Sequence, residues 1–187
     1  MLNMASYGSV EEADAYFAMR LHEQAWTNAD PADRPKALLG ATRIIDALNF
    51  KGDRHTVWLV KQSQIHYHSS TDPYLDEASI RIEQEQRRAA EEQQSLEFPR
   101  GPDTVVPEAI LRACYEIAHS LLDGRDPELE LENLAVTAHG FGEVRTHYER
   151  AQVPIEHLIN MVPNALAWNL LRPFLRDSEA IKLSRMS

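Results

Sequence analysis

The sequence predicts a mainly α protein: an antiparallel helical bundle with a small β-hairpin and a C-terminal broken helix or arm. Three observations predict it. Ile110, Ala113, Cys114, Ile117, Ala118, Leu121 and Leu122 recur three and four residues apart, which paints one apolar stripe along a 3.6-residue period. Ala37, Leu38, Ala41, Ile44, Ile45 and Leu48 repeat the pattern. Alternating apolar and polar residues are confined to two short runs around His139-Gly140-Phe141-Gly142, so extended structure is limited to one hairpin.

Residues 1–8 read as a lead-in, after which Ser9-Val10-Glu11-Glu12 forms a capping box. The helix it opens places Val10, Ala13, Phe17 and Leu21 on one face and runs to about Trp26, with His22 inside it. Pro31 ends that run, since proline and the residue before it both resist helix. A second helix starts near Asp33 with Pro35 in its first turn and ends around Asn49-Phe50-Lys51-Gly52, where Gly52 suits a C-cap. A short loop between two such helices makes them antiparallel. Residues 55–68 mix apolar and polar side chains without a period and read as loop or weak strand.

Asp72-Pro73 then caps a polar helix over 74–94, in which Glu77 with Arg81 and Glu83 with Arg87 are four apart. Only Leu75, Ala78, Ile82 and Ala89 make a narrow stripe there. Such a helix is solvated or packs against a neighbouring chain. Extended Leu96-Glu97-Phe98-Pro99-Arg100 leads into the best-specified helix, opened by Pro107, closed by Asp123-Gly124 and carrying His119. Residues 125–130 read as an acidic loop, 134–138 and 144–148 as two strands, 153–175 as helix broken at Pro163 and Pro173, and 177–187 as a tail. A hairpin of this size is marginal alone and needs a partner surface. The organisation is one domain over 1–187: a helical core about 9–52 and 96–124, an insertion about 54–94, a hairpin about 131–149 and an arm about 153–187.

Composition narrows the chemistry. Asp and Glu number 29 against 19 Lys and Arg, a net charge of -10, and binding by phosphate neutralisation needs clustered cations instead. The lone Cys114 excludes an internal disulfide and a thiolate cluster and reads as a small buried hydrophobe. No apolar run approaches the ~18 residues of a membrane span, and no basic-then-apolar leader opens the chain, so a soluble, cytosolic protein is expected. His66-Tyr67-His68 puts two imidazoles on one side of an extended chain, with His55 and Asp72 near in sequence, but no clear third ligand completes a metal site. The glutamates lie beside arginines in helices and read as a solvated face. Gly140-Phe141-Gly142 lacks the lysine and following helix of a phosphate loop. No nucleophile elbow occurs, and Cys114 has no activating neighbours. The expectation is a non-enzyme with no catalytic residue, metal or cofactor. Arg100 is the one charge at a conformationally fixed place, directly after Phe98-Pro99.

Several pieces in order carry a resemblance. They are Tyr7 and Ser9 followed by Ala13-Asp14-Ala15-Tyr16-Phe17; Trp26; Lys36-Ala37-Leu38 with Ala41-Thr42; and Ile45-Asp46-Ala47-Leu48-Asn49-Phe50-Lys51-Gly52. Leu96-Glu97-Phe98-Pro99-Arg100 with Val106-Pro107-Glu108-Ala109-Ile110 is the most specific piece, and Gly142-Glu143-Val144 and Leu170-Leu171-Arg172-Pro173-Phe174-Leu175 close the series. Together they resemble a family of tailed-phage and prophage proteins often labelled DnaT-like single-stranded DNA-binding, which is similar to phage head–tail adaptor (connector, head-completion) proteins. The match leaves out roughly 54–94, longer than the family's usual connection and so read as an insertion.

The resemblance implies a structural virion protein of the neck, assembled in the host cytoplasm as a homo-oligomeric ring, typically a dodecamer. Its partners would be the portal protein and the next tail component, a tail or nozzle protein; DNA would pass through without specific binding, and no membrane is involved. The interface residues it implies are Phe98, Pro99 and Arg100 against an adjacent subunit. Trp58, Tyr67 and Tyr74 in the insertion would reach a neighbour or the tail, and Leu166, Leu170 and Phe174 would face the portal. The family label also admits a single-stranded DNA-binding replication accessory, which would use a basic groove with stacking aromatics such as Trp26, Trp58, Tyr67 and Tyr74. The acidic charge opposes that alternative. A His-dependent metallohydrolase is a third, weaker option.

Overall fold

The structure, a computed structural model, describes residues 5–68, 77–135, 138–141, 144–147 and 156–176, of which 65–68, 77–79, 135 and both strands are described by backbone alone. The described chain is mainly helical. Its elements in order are α1 Val10–Phe17, α2 Gln24–Thr27, α3 Asp33–Asp46, α4 His55–His68, α5 Glu77–Gln93 and α6 Glu108–Leu122. There follow α7 Pro127–Ala135, strands β1 Ala138–Phe141 and β2 Val144–His147, α8 Glu156–Ile159, α9 Ala165–Leu171 and a 3-10 turn at Arg172–Phe174. Two compact units contain these elements: Ser6–Leu48 with Ala109–Pro173, and Asn49–Glu108 with the chain from Phe174 on.

In the first unit, α1 starts at the expected capping box: Ser9 Oγ accepts from Glu12 N (3.2 Å), and Glu12 Oε2 accepts from Ser9 N (2.8 Å). The lead-in is not idle, because Tyr7 is buried and donates its backbone N–H to Thr42 Oγ1 at 3.0 Å. Gly8 follows at φ 76, and a Cβ there would collide with Tyr115 Oη. The first helix ends at Phe17, short of the expected Trp26. Arg20 folds back and donates from Nη1 to the Leu21 and His22 carbonyls (3.2 and 2.9 Å), which a continuing helix would have kept for its own amides. His22 therefore sits in a turn at φ 60, not in a helix, and Leu21 is 82% exposed instead of joining the stripe.

Trp26, on the separate α2, stacks on Phe17 (5.0 Å between ring centroids) and donates Nε1–H to Asp14 Oδ1 at 2.7 Å. On α3, Ala37, Leu38, Ala41, Thr42 and Ile45 are buried as the spacing predicts, but the helix stops at Asp46, before the 49–52 stretch. The central α6 buries Ile110, Ala113, Cys114, Ile117 and Ala118 and also Tyr115, Glu116 and Ser120, three polar-bearing residues that no apolar stripe reveals. Burial pushes the Cys114 thiol up to about 12, which leaves it inert.

The acidic loop and first strand are corrected. Asp126 Oδ1 accepts from Glu128 N (3.0 Å) and Leu129 N (3.4 Å), so Asp126-Pro127 caps a helix, α7, that continues through Leu134 and Ala135. The hairpin expected over about 131–149 does not stand as drawn: among the described residues of that stretch, pairing is a four-residue antiparallel ladder with Ala138 opposite His147 and Phe141 opposite Val144. After α8 the chain turns through Met161 at φ 59, and Asn164 opens α9 by accepting from Leu166 N and Ala167 N.

In the second unit, 55–68 is a helix, α4, where loop or weak strand was expected. Its apolar residues are bunched at Val57-Trp58-Leu59-Val60, so no period shows in sequence, and packing decides. That partner is α5. Val57 and Ala90 are buried (3% and 4% exposed), Thr56 Oγ1 donates to Ala90 O (2.7 Å) and Gln64 Nε2 to Gln86 Oε1 (3.2 Å). The polar helix is thus covered by its own chain at Ala90; Gln86 is exposed, as are Ala89 and Ile82 of the expected stripe. No helix of the described residues is long and apolar enough to cross a membrane.

Candidate functional site

The motif residues 96–100 lie in the second unit, where three stretches of chain meet. The residues 49–55 supply backbone edges: Phe50 bridges Leu175 and Arg54 bridges Arg100, both antiparallel. Lys51 N donates to Phe174 O (2.8 Å), Arg176 N to Asn49 O (3.0 Å), His55 N to Pro99 O (3.0 Å) and Gly101 N to Asp53 O (2.9 Å). Gln94, one residue beyond α5, donates Nε2 to Leu96 O (3.0 Å) and Pro99 O (2.8 Å), which fixes the extended segment against the helix end. The Phe98-Pro99 peptide is cis.

Apolar and charged halves of this clasp are separate. Phe98 is 3% exposed and meets Phe50 (4.7 Å, 74°) and Phe174 (5.7 Å, 88°) edge to face, the arrangement ring quadrupoles favour. Outside that cluster, Glu97 lies between two guanidiniums: Arg54 donates to Oε1 (from Nε at 2.9 Å) and Arg100 Nη1 to Oε2. Arg100 also donates Nε to Lys51 O (3.0 Å) and Nη2 to Gly52 O, and its guanidinium stands 5.8 Å from the Phe50 ring centroid. A planar fork with five donors fits this set of carbonyls and carboxylate, which a lysine would not.

An open cleft of about 330 Å³ adjoins the clasp, lined by Asp53, Arg54, Val57, Glu97, Arg100 and Arg176 among others. Lys61 bonds Asp53 (2.5 Å), and this bond, with Arg87 and Arg100 nearby, holds the Asp53 carboxyl below its ordinary range. The carboxylates of Asp53, Glu91 and Glu97 each face a cation of their own chain. Among the described residues no three His, Cys, Asp or Glu converge on a common point. Helix α4 runs through His66–Tyr67–His68, so the extended geometry that would set two imidazoles side by side is absent.

The structure places the expected contact residues unequally. Phe98, Pro99, Arg100 and Phe174 come together in the clasp; Phe98 is buried and the Arg100 side chain only 13% exposed, so both serve the fold of their own chain. Trp58 is half-buried and stacks on His55 (6.1 Å, 18°). Tyr67 lies on α4 with its side chain outside the described part, and Tyr74 lies outside the described residues altogether. Leu166 is 50% exposed and Leu170 half-buried, both on α9 of the other unit. Sequence reasoning missed Glu97 and Arg54 as the partners of Arg100. Glu97 is inside the motif, three residues before Arg100, whereas no local pattern marks Arg54. Comparison with family models, with characterised proteins and with solved structures finds no match to this chain.

Proposed function

We propose that this chain is a structural rather than catalytic protein, a head–tail adaptor that forms an oligomeric ring between a phage portal and the tail and gives DNA a passage. What carries the assignment is the meeting of three motif pieces: Asn49-Phe50-Lys51-Gly52, Leu96-Glu97-Phe98-Pro99-Arg100 and Phe174-Leu175 interlock in one clasp. Pieces that the resemblance draws from far apart in the chain thus act as one structural unit. Two further features support it. The net charge is -10, and Arg20, Arg34, Arg54 and Arg100 each face a carboxylate of their own chain, which suits a wall that DNA slides past. Met19, Leu21, Val105 and Ile159 are 93%, 82%, 72% and 60% exposed, apolar surface that neighbouring subunits would cover.

On this reading the helices form the antiparallel bundle of the ring, typically of twelve copies. The region from about 153 on is the arm toward the portal, and the α4–α5 pair, Trp58 included, meets a neighbour or the next tail component. Phe98 and Arg100 hold the clasp in shape instead of touching the adjacent subunit directly. The test is electron microscopy of the purified chain mixed with portal particles, with sedimentation alongside. Rings seated on the portal are expected. A monomer that ignores portals and shifts single-stranded oligonucleotides in a salt-sensitive way would overturn the proposal in favour of a replication accessory.

A further inference from the structure

Glu116 is the one charged residue among the described buried ones, with no exposed surface. A carboxylate so placed costs several kcal/mol unless it is paired and hydrogen-bonded. Arg20 provides a two-pronged pair, Nε to Oε1 at 2.7 Å and Nη2 to Oε2 at 2.9 Å. Tyr16 donates to Oε1 at 2.8 Å and Asn164 Nδ2 to Oε2 at 3.2 Å. Asn164 Nδ2 also reaches Ser120 Oγ (3.2 Å), while its Oδ1 accepts from Leu166 N (2.8 Å) and Ala167 N (3.2 Å) at the start of α9. One amide side chain therefore joins the buried carboxylate to the first turn of a helix.

The two turns that converge on Glu116 share a second property. Among the described residues the non-glycine positions with positive φ are His22 (60°) and Met161 (59°), one in each turn. Left-handed backbone is unfavourable at such residues and persists only where surrounding contacts over-determine it. Here those contacts are Arg20 Nη1 and His119 Nε2 on the His22 carbonyl (2.9 and 3.1 Å) on one side, and Met161 N to Leu158 O and Val162 N to His157 O (2.9 and 2.8 Å), three residues before Asn164, on the other. Both turns display apolar side chains: Met19 and Leu21 beside Arg20, and Met161 and Leu166 beside Asn164.

We propose that Glu116 is a conformational latch that couples the turn at 18–23 to the start of α9, so that releasing one loosens the other. In the latched state the carboxylate is shared between Arg20 and Asn164. In the released state Arg20, already 24% exposed, swings to solvent. Glu116 then keeps an uncompensated charge, takes up water and no longer orients the amide that caps α9. A partner that grips Met19 and Leu21 and shifts Arg20 would thereby change α9 some 140 residues further along the chain. The latch is a property of the folded chain and does not depend on the adaptor assignment.

Hydrogen exchange of the full-length chain tests it, using Arg20→Gln, Asn164→Ala and the double variant. Arg20→Gln is expected to speed exchange at 166–168 on the order of tenfold beyond any change at Ala41 and Ile45 of α3. Asn164→Ala should do the same for the amides of Met19 and Arg20, which donate to Tyr16 O and Phe17 O. The double variant should add little to either. Arg20→Lys, which keeps the charge but loses the fork, should fall between wild type and Arg20→Gln. Unchanged exchange at 166–168, a rise no larger than at α3, or single effects that simply multiply would each overturn the latch.

Discussion

Arg100 reaches with one side chain the Lys51 and Gly52 carbonyls, the Glu97 carboxylate of the motif and the Phe50 ring. Shortening it removes the donors to the Lys51 and Gly52 carbonyls and one of the two guanidiniums on Glu97. Arg100→Ala is expected to lower stability by about 2–3 kcal/mol, the scale of lost charge-assisted bonds with partners left behind. Arg100→Lys should recover only part, because an ammonium cannot span the carboxylate and the carbonyls together. Midpoints of urea unfolding for the three proteins check this. A full recovery by lysine would mean that charge, not geometry, fixes the clasp. The importance of Arg100 is legible in sequence from its place after Phe98-Pro99, whereas its role is not: the partners lie 49 and 48 residues away.

At the scale of elements, α4 and α5 show where periodicity fails. A helix whose apolar residues are consecutive carries no amphipathic signature, and a helix dense in Glu, Gln and Arg has little of its own to bury. The two pack on each other, with Ala90 buried and with hydrogen bonds from Thr56 to the Ala90 carbonyl and from Gln64 to Gln86. Ala90→Glu is expected to separate the pair, since the new carboxylate would be buried without a cation opposite it. Helical circular dichroism should fall. An unchanged spectrum would show that α5 holds its helix without α4. By contrast α3 and α6 are plain in the sequence, because each presents a regular stripe over fourteen or fifteen residues. The end of α1 is not, because the groups that stop it belong to Arg20 and to His119 on α6.

For the molecule as a whole, protonation ties local burial to global stability. His119 and His157 both have pKa values depressed first of all by burial; for His119, Arg20 adds to the depression. Their folded pKa values therefore lie below the unfolded value of about 6.5, so the unfolded chain binds more protons in that interval. The stability they contribute is complete above pH ~6.5 and is lost as pH falls through the folded pKa values. Urea midpoints should drop between neutral and mildly acidic pH, and the drop should shrink in His119→Gln. An equal drop in that variant would assign the dependence to other groups. By itself the sequence determined the helical class, the capping box at Ser9, the stripes of α3 and α6 and the break at Pro163. Each of these is written in residues within a turn or two of one another. Only the tertiary structure decided that 55–68 is helical, that Glu97 and Arg54 complete Arg100, and that Glu116 is buried between Arg20 and Asn164. Those outcomes depend on desolvation and on partners brought from 22 to 100 residues away, distances over which neither propensity nor periodicity carries information.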